Sequence, residues 1–339
     1  MKPKAIVDPH PRTLALLFNK ADLERLESLV TMRVWEGSRM PSDMLEKHLR
    51  EASVIIGQPD LPRERLERAK RLKAIINVEG NFQPTIDYAY CFERGIHVLG
   101  VGVAFGQAVA EMALGLAIAL ARGISGGDRL FREGKEIYGR LSNQTSFLIS
   151  GAEVGFIGFG NLGRALLKLL QPFNCEIRVY DPWLPDRWLA EFGMIPSSLE
   201  ELLASSRIVF VLAGATAENR AMLDRRKLDL MQKAACLVLV SRASLVDFEA
   251  LTHKLVNGDL RAAVDVFPEE PFAKDHPIRT LNNVILSAHR AGSLSAAYRL
   301  MGEMIADDLE LILNGLPPVR LQRAERQTVA RFRSMPVKK

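Results

Sequence analysis

The chain has 339 residues, 48% of them hydrophobic and 25% charged, with 24 glycines and 17 prolines. At roughly 100–200 residues per domain this is a two-domain globular protein, neither disordered nor fibrous. The net charge of +5 sits at one end: residues 320–339 hold seven basic residues and one acidic, leaving −1 for the rest. The body therefore offers no basic surface for nucleic acid, and the tail reads as a solvated extension.

Short apolar, β-branched runs alternate with helical-period segments, the pattern of parallel sheets covered by helices. In the first third the expected strands are 13–18, 32–35, 54–57, 74–78 and 96–99. Helical spacing lies between them at Leu23, Leu26 and Leu29 and again at Leu45, His48 and Leu49. Residues 108–121 read as a buried helix. Its most apolar run, 112–121, follows Glu111 and falls short of the ~20 residues a bilayer requires. The N-terminus carries no secretory signal, so a cytoplasmic protein without membrane association is expected. The polar stretch 122–150 suits a linker or hinge.

The pattern then restarts with strands at 154–157, 177–181, 208–212, 237–240, 262–266 and 284–286. A last helix, 295–313, is stopped by Asn314-Gly315 and Pro317-Pro318, and it is expected to return to the first domain. The expected fold class is α/β: two doubly wound Rossmann-like domains with parallel sheets and an interdomain cleft. Residues 1–121 and 296–339 would form a substrate (catalytic) domain and 122–295 a dinucleotide-binding domain. Three widely spaced cysteines, Cys91, Cys175 and Cys236, fit neither a disulfide framework nor a zinc site, and no metal is expected.

The most specific motif is Gly158-Phe159-Gly160-Asn161-Leu162-Gly163, a G-x-G-x-x-G turn between an expected strand and an amphipathic helix bearing Leu162, Leu166, Leu169 and Leu170. Gly158 permits the tight turn, Gly160 lets a diphosphate approach the backbone, and Gly163 allows close helix–strand packing. The free N–H groups of the helix start, at Asn161, Leu162 and Gly163, would meet phosphate oxygens. The next strand ends at Asp181, where a carboxylate accepts hydrogen bonds from a ribose diol and repels a 2′-phosphate. NAD is therefore the expected cofactor.

Ligands of open parallel sheets bind beyond the carboxyl ends of the strands. Those ends carry Asp181, Arg242, Asp265 with Glu270 just after it, and His289. These side chains suit hydride transfer to the carbonyl of a 2-oxo acid. Arg242 offers a planar fork for a carboxylate and can polarise the ketone. An imidazole, titrating near ~6.5 in water, lets His289 give and retake one proton. Glu270, hydrogen-bonded to the other ring nitrogen, would favour the imidazolium.

With these residues in place, the chain resembles the D-isomer-specific 2-hydroxyacid dehydrogenases, most closely their phosphoglycerate dehydrogenase-like branch. The resemblance covers roughly residues 50–318. It rests on Val109-Ala110-Glu111, the glycine turn with Asp181, Ser241-Arg242, the run 265–271 (Asp-Val-Phe-Pro-Glu-Glu-Pro), and Ser287-Ala288-His289. It implies Arg242 as the carboxylate clamp, Glu270 as partner of the histidine, His289 as the general acid/base, and Asp265 beside the nicotinamide amide. It further implies a substrate loop at Glu79, Gly80 and Asn81, whose backbone N–H groups hold the carboxylate, and a homodimer formed through the NAD-binding domain. The implied activity is interconversion of a small anionic D-2-hydroxy acid and its 2-oxo acid. The alternatives are an NAD(H)-sensing, corepressor-like binding protein and a formate-type dehydrogenase of the same fold. Ala288, where the family has proline, and Arg290, where an apolar residue is usual, depart from the pattern. Arg290 is a candidate for contact with a second anionic group of the substrate.

Overall fold

A computed structural model describes residues 2–79, 82–216, 218–327 and 329. The chain divides into two compact units, 1–105 with 293–339, and 106–292.

The first unit is built on five parallel strands: β1 (Lys4–Asp8), β2 (Thr31–Val34), β3 (Ala52–Gly57), β4 (Ala74–Asn77) and β5 (His97–Gly100). Their order is β2-β1-β3-β4-β5, with the antiparallel pair Gln322–Arg323 added at the β5 edge. Side chains alternate between two cores, as period-two strands buried on both faces require. Ala5, Val7, Val54, Ile56 and Ile76 face one core; Ile6, Ile55, Ile75 and Val98 face the other.

The C-terminal helix Ser295–Leu313 belongs to this unit. It packs Met301, Ile305 and Leu309 against Leu17, Phe18 and Leu26. A Cβ at Gly302 would lie 2.2 Å from the Leu17 carbonyl oxygen, so only glycine permits this approach. One sequence expectation is corrected here. Segment 13–18 is not a strand but contains the helix Leu14–Leu17, because the Thr13 side chain caps it by accepting from the Leu16 N–H. The first strand is Lys4–Asp8 instead.

The second unit is a seven-stranded parallel sheet: β6 (Glu153–Ile157), β7 (Glu176–Tyr180), β8 (Ile195–Pro196), β9 (Ile208–Val211), β10 (Cys236–Leu239), β11 (Arg261–Val264) and β12 (Val284–Leu286). The order β12-β11-β10-β9-β6-β7-β8 reverses between β6 and β9, the doubly wound arrangement. Ala262, Leu237, Val209 and Ile157 are among the strand residues of its core, all 0–1% exposed.

The helix Gly106–Arg122 goes with this second unit, which moves the boundary N-terminal of the expected one. Val109, Ala113, Leu116, Ala117 and Leu120 are buried, and the helix packs on helix Asn161–Leu170 and on β10 and β11. With the preceding turn it forms an apolar segment, Val101–Arg122, longer than the ten-residue run read from sequence and long and apolar enough by composition to cross a bilayer. In this fold its apolar face is occupied by the sheet and its neighbouring helix. The stretch expected as a linker contains the helix Ile124–Arg132, none of whose residues is buried, and a short turn at Gly139–Asn143.

Candidate active site

The glycine turn leaves β6 at the switch point of the second sheet. Gly158 has φ +93°, and a Cβ there would stand 2.7 Å from the Ala213 Cα, so the backbone just past the end of β9 dictates glycine. Gly163 is buried, and a Cβ there would meet the Gly158 carbonyl oxygen and the Phe159 ring at 3.0 Å. A Cβ on Gly160 would meet nothing within 4 Å, which leaves an open face beside the backbone. Gly160 also stands at the N-cap of helix Asn161–Leu170 and offers no capping side chain, so the first-turn N–H groups at Asn161, Leu162 and Gly163 are not capped from within. An open backbone face and an uncapped helix start fit the diphosphate of a dinucleotide.

Asp181, one residue beyond β7, accepts from the Phe159 N–H (2.8 Å) and the Trp183 N–H (3.1 Å). It therefore braces the turn itself. Two carboxylate oxygens have about four acceptor positions, so a ribose diol can still be held there.

At the other side of the same sheet, the ends of β10, β11 and β12 bring the titratable set together. His289 Nδ1 lies 2.7 Å from Glu270 Oε2, and the second Glu270 oxygen accepts from the Phe267 N–H at 3.1 Å. Glu270 is thus fixed at both oxygens and orients the ring. With the proton on Nδ1 directed at the carboxylate, Nε2 is the nitrogen left for substrate. Arg242 follows β10 and donates to the Ser241 carbonyl at 2.7 Å. Burial pushes its guanidinium below the usual arginine value, and the charge of Glu270 opposes that shift. A guanidinium remains protonated regardless, so Arg242 is a partly desolvated cation near the Glu270–His289 pair.

Asp265 does more than the sequence suggested. It is 1% exposed, and its carboxylate accepts from the N–H groups of Arg290 (3.0 Å) and Ala291 (3.2 Å). Its carbonyl accepts from the His289 N–H at 2.7 Å. His289 has φ +48°, the left-handed region that a β-carbon disfavours by about 1–2 kcal/mol. Asp265 offsets that cost by anchoring three consecutive N–H groups, and backbone strain of this kind clusters at functional sites. Sequence spacing placed Asp265 at the strand end but gave no sign of this grip.

Of the remaining candidates, Arg290 is exposed and its guanidinium joins no ion pair among the described residues. Glu79 lies just past β4. Its N–H is already committed to Asn77 Oδ1 (2.9 Å) and Gln58 Oε1 (3.2 Å), so it does not serve as a carboxylate donor. Gly80 and Asn81 lie outside the described residues. Among those described, no group of three His, Cys, Asp or Glu residues is placed to hold a metal ion.

A doubly wound unit with a diphosphate turn, a ribose-side aspartate and an Arg–Glu–His set at its strand ends defines an NAD-dependent oxidoreductase. The profile described as "D-isomer specific 2-hydroxyacid dehydrogenase, NAD binding domain" matches residues 114–291, and the chain belongs to that family. It is similar to a phosphoglycerate oxidoreductase from Rhizobium etli, at 43% identity over 96% of this chain and 99% of that one, with a TM-score of 0.87. It is similar to a glyoxylate reductase from Thermococcus gammatolerans, at 30% identity over 96% of this chain and 97% of the relative. A D-3-phosphoglycerate dehydrogenase from Methanocaldococcus jannaschii is 31% identical over 80% of this chain, which spans about half (52%) of that relative's length.

Proposed function

We propose that the protein reduces a short 2-oxo acid to the D-2-hydroxy acid, and catalyses the reverse, with Arg242, Glu270 and His289 as its reactive groups. The observation that carries this reading is the 2.7 Å contact between His289 Nδ1 and Glu270 Oε2 on the sheet edge that also presents Arg242. A dinucleotide whose diphosphate is held at the glycine turn would supply the hydride from its nicotinamide. Arg242 holds the substrate carboxylate and draws electron density from the ketone oxygen. His289 delivers a proton from Nε2 to that oxygen as alkoxide character develops. Glu270 stabilises the ring while it is cationic and keeps Nε2 presented. A binding protein that only senses NADH has no use for a histidine strained into place and paired with a carboxylate.

The test is NADH oxidation with glyoxylate, hydroxypyruvate and 3-phosphohydroxypyruvate. His289→Ala should lower kcat by about 10²–10⁴ with NADH affinity retained. Turnover that survives this change, or cofactor binding that disappears with it, rejects the assignment.

A second anion is the finer part of the reading, in line with the phosphoglycerate-type branch. Arg290 carries an exposed guanidinium with no ion-pair partner among the described residues, next to the acid/base residue, and an anionic substituent on the 2-oxo acid would meet it. Arg290→Ala should then reduce kcat/KM for the phosphorylated acid and leave glyoxylate unaffected; equal effects on both remove Arg290 from specificity. Assembly is proposed as a homodimer through the NAD-binding unit in the cytoplasm. Phe131, Ile137, Tyr138, Leu141 and Leu148 are each 55–75% exposed within one short segment, and such a cluster favours burial against a second copy. Phe131→Asp with Leu141→Asp should give a monomer by sedimentation.

A further inference from the structure

The chain leaves β11 through Asp265 and Val266 into the loop that carries Glu270. Two phenylalanines flank that loop, Phe267 before it and Phe272 after it. Their rings stack, with centroids 4.4 Å apart and planes inclined by 28°, so the two ends of the segment 268–271 are pinned to each other. The Phe267 N–H also donates to Glu270 Oε1 at 3.1 Å. The residue that supplies one ring of the stack therefore holds the carboxylate as well.

Phe272 is gripped from further sides. The Phe248 ring, at the start of the helix Phe248–Val256, meets it edge-on at 5.7 Å and meets Phe267 at 6.1 Å. The His276 ring lies 4.7 Å away. Arg279 donates to the Phe272 and Ala273 carbonyls at 2.9 and 2.7 Å, and its guanidinium stands 5.4 Å from the Phe272 ring centroid. Stacked and edge-to-face rings prefer particular angles, so they fix each other's orientation in a way that aliphatic side chains do not, and a guanidinium over the ring adds to the hold. Phe267 and Phe272 are packed against the core of the second unit rather than within it, so filling the interior accounts for little of this arrangement. Glu270 gains no hold from burial either: its side chain is 38% exposed. A glutamate that free samples several rotamers, and the useful one is that which brings Oε2 to 2.7 Å from His289 Nδ1.

We propose that Phe267, Phe272 and Arg279 are positioning residues for Glu270: the ring stack holds the carboxylate at His289, and loosening it slows turnover without weakening the binding of the 2-oxo acid or of NADH. The inference rests on the reading of Glu270 and His289 as the acid/base pair. With the loop closed by its own flanking rings, the ordering of Glu270 is met by folding instead of in each catalytic cycle.

The experiment compares Phe272→Ala, Phe272→Tyr and Arg279→Met in the full chain. Phe272→Ala should lower kcat and kcat/KM alike by about three- to tenfold, the worth of an aromatic pair in fixed geometry, with KM and the NADH dissociation constant within about twofold of wild type. Phe272→Tyr keeps a ring that can stack and should restore kcat. Arg279→Met leaves both rings in place and should give a smaller loss of the same kind, and it carries the test if the alanine variant does not fold. In a Glu270→Gln background, where the carboxylate is already gone, Phe272→Ala should cost less than about twofold more. Independently of turnover, Phe272→Ala should accelerate hydrogen exchange at the Phe267 amide, whose acceptor is Glu270. Unchanged kcat in the folded variants, an undiminished loss in the Glu270→Gln background, an unchanged exchange rate, or kcat, KM and NADH affinity worsening together each overturn the proposal. A wild-type protein that turns over no 2-oxo acid but shows the exchange change refutes the acid/base reading while leaving the hold on Glu270 standing.

Discussion

Glu270→Gln isolates the contribution of one charge to the proposed acid/base pair. In the native site both carboxylate oxygens accept, one from the His289 ring at 2.7 Å and one from the Phe267 N–H at 3.1 Å. A glutamine has one acceptor and one donor end, so with the proton on His289 Nδ1 one contact becomes donor against donor whichever way it turns. Hydrogen bonds to charged groups are worth about 1.5–3 kcal/mol. Here the His289 and Glu270 side chains are 48% and 38% exposed, so solvent screening reduces the charged part to about 1 kcal/mol. The mismatched contact adds about 1 kcal/mol. At 1.36 kcal/mol per decade, about 2 kcal/mol predicts a ~30-fold fall in kcat/KM. The assay is NADH absorbance at saturating cofactor, with NADH affinity followed separately by fluorescence. Because Glu270 is argued to act through the ring, the same substitution in a His289→Ala background should cost nothing further. A repeated ~30-fold loss in that background would refute the pairing.

Three other outcomes follow from the same structure. Asp265→Asn should lower kcat by about 10–100-fold, the worth of disturbing a buried carboxylate that binds two N–H groups; a loss that falls on NADH affinity instead would mean the residue serves the nicotinamide directly. Gly158→Ala combines a left-handed backbone with a Cβ 2.7 Å from Ala213 Cα. It should destabilise by about 2–4 kcal/mol and weaken NADH binding, read by thermal melting and fluorescence titration; an unshifted melt would contradict the packing described. Partial burial works to raise the Asp307 carboxyl, but hydrogen bonds from Arg320 and Arg25 hold it below the usual carboxylate range. Its stabilising contribution is therefore complete above that range and lost as pH falls through the depressed value. The melting temperature of wild type should exceed that of Asp307→Asn at pH 7, and the gap should close on acidification; a gap independent of pH would exclude the ionic origin.

The second unit was legible because its chemistry is local. Val154–Ile157, Ile208–Val211 and Cys236–Leu239 are short unbroken apolar runs, which is how strands covered on both faces read, and the glycine turn follows the first of them directly. Arg242, Asp265, Glu270 and His289 could be collected by the rule that ligands lie beyond the carboxyl ends of parallel strands. The first unit was harder. Residues 13–18 and Lys4–Asp8 are apolar runs of similar length, and periodicity alone does not separate a short helix from a short strand. The difference lies in a single hydroxyl at Thr13. The hydrogen bond from Arg12 to the Val78 carbonyl escaped notice for another reason: the two residues are 66 apart in the chain, and no local pattern marks a contact made only when β1 and β4 lie in one sheet.

Buried polar side chains explain why both switch points matter. Among the described residues, the buried polar side chains include Asp8, Gln58, Asn77, Ser206, Thr216, Ser241, Thr252, Asp265 and Asp308. Thr252 and Asp308 have local structural duties: the first bonds back to the Phe248 carbonyl, and the second receives the N–H groups of Val319, Arg320 and Leu321. Asp8, Gln58, Asn77, Ser241 and Asp265, by contrast, stand at or within two residues of the carboxyl ends of β1, β3, β4, β10 and β11. Desolvating a polar group costs free energy that apolar side chains at the same depth would not incur, so a fold selected for stability alone would not gather them at one edge of each sheet. In the second unit, Asp265 fixes the backbone that carries His289. In the first, Gln58 and Asn77 fix the backbone that leads past Glu79. Both sheets thus place buried polar groups where they satisfy backbone at the carboxyl ends of their strands.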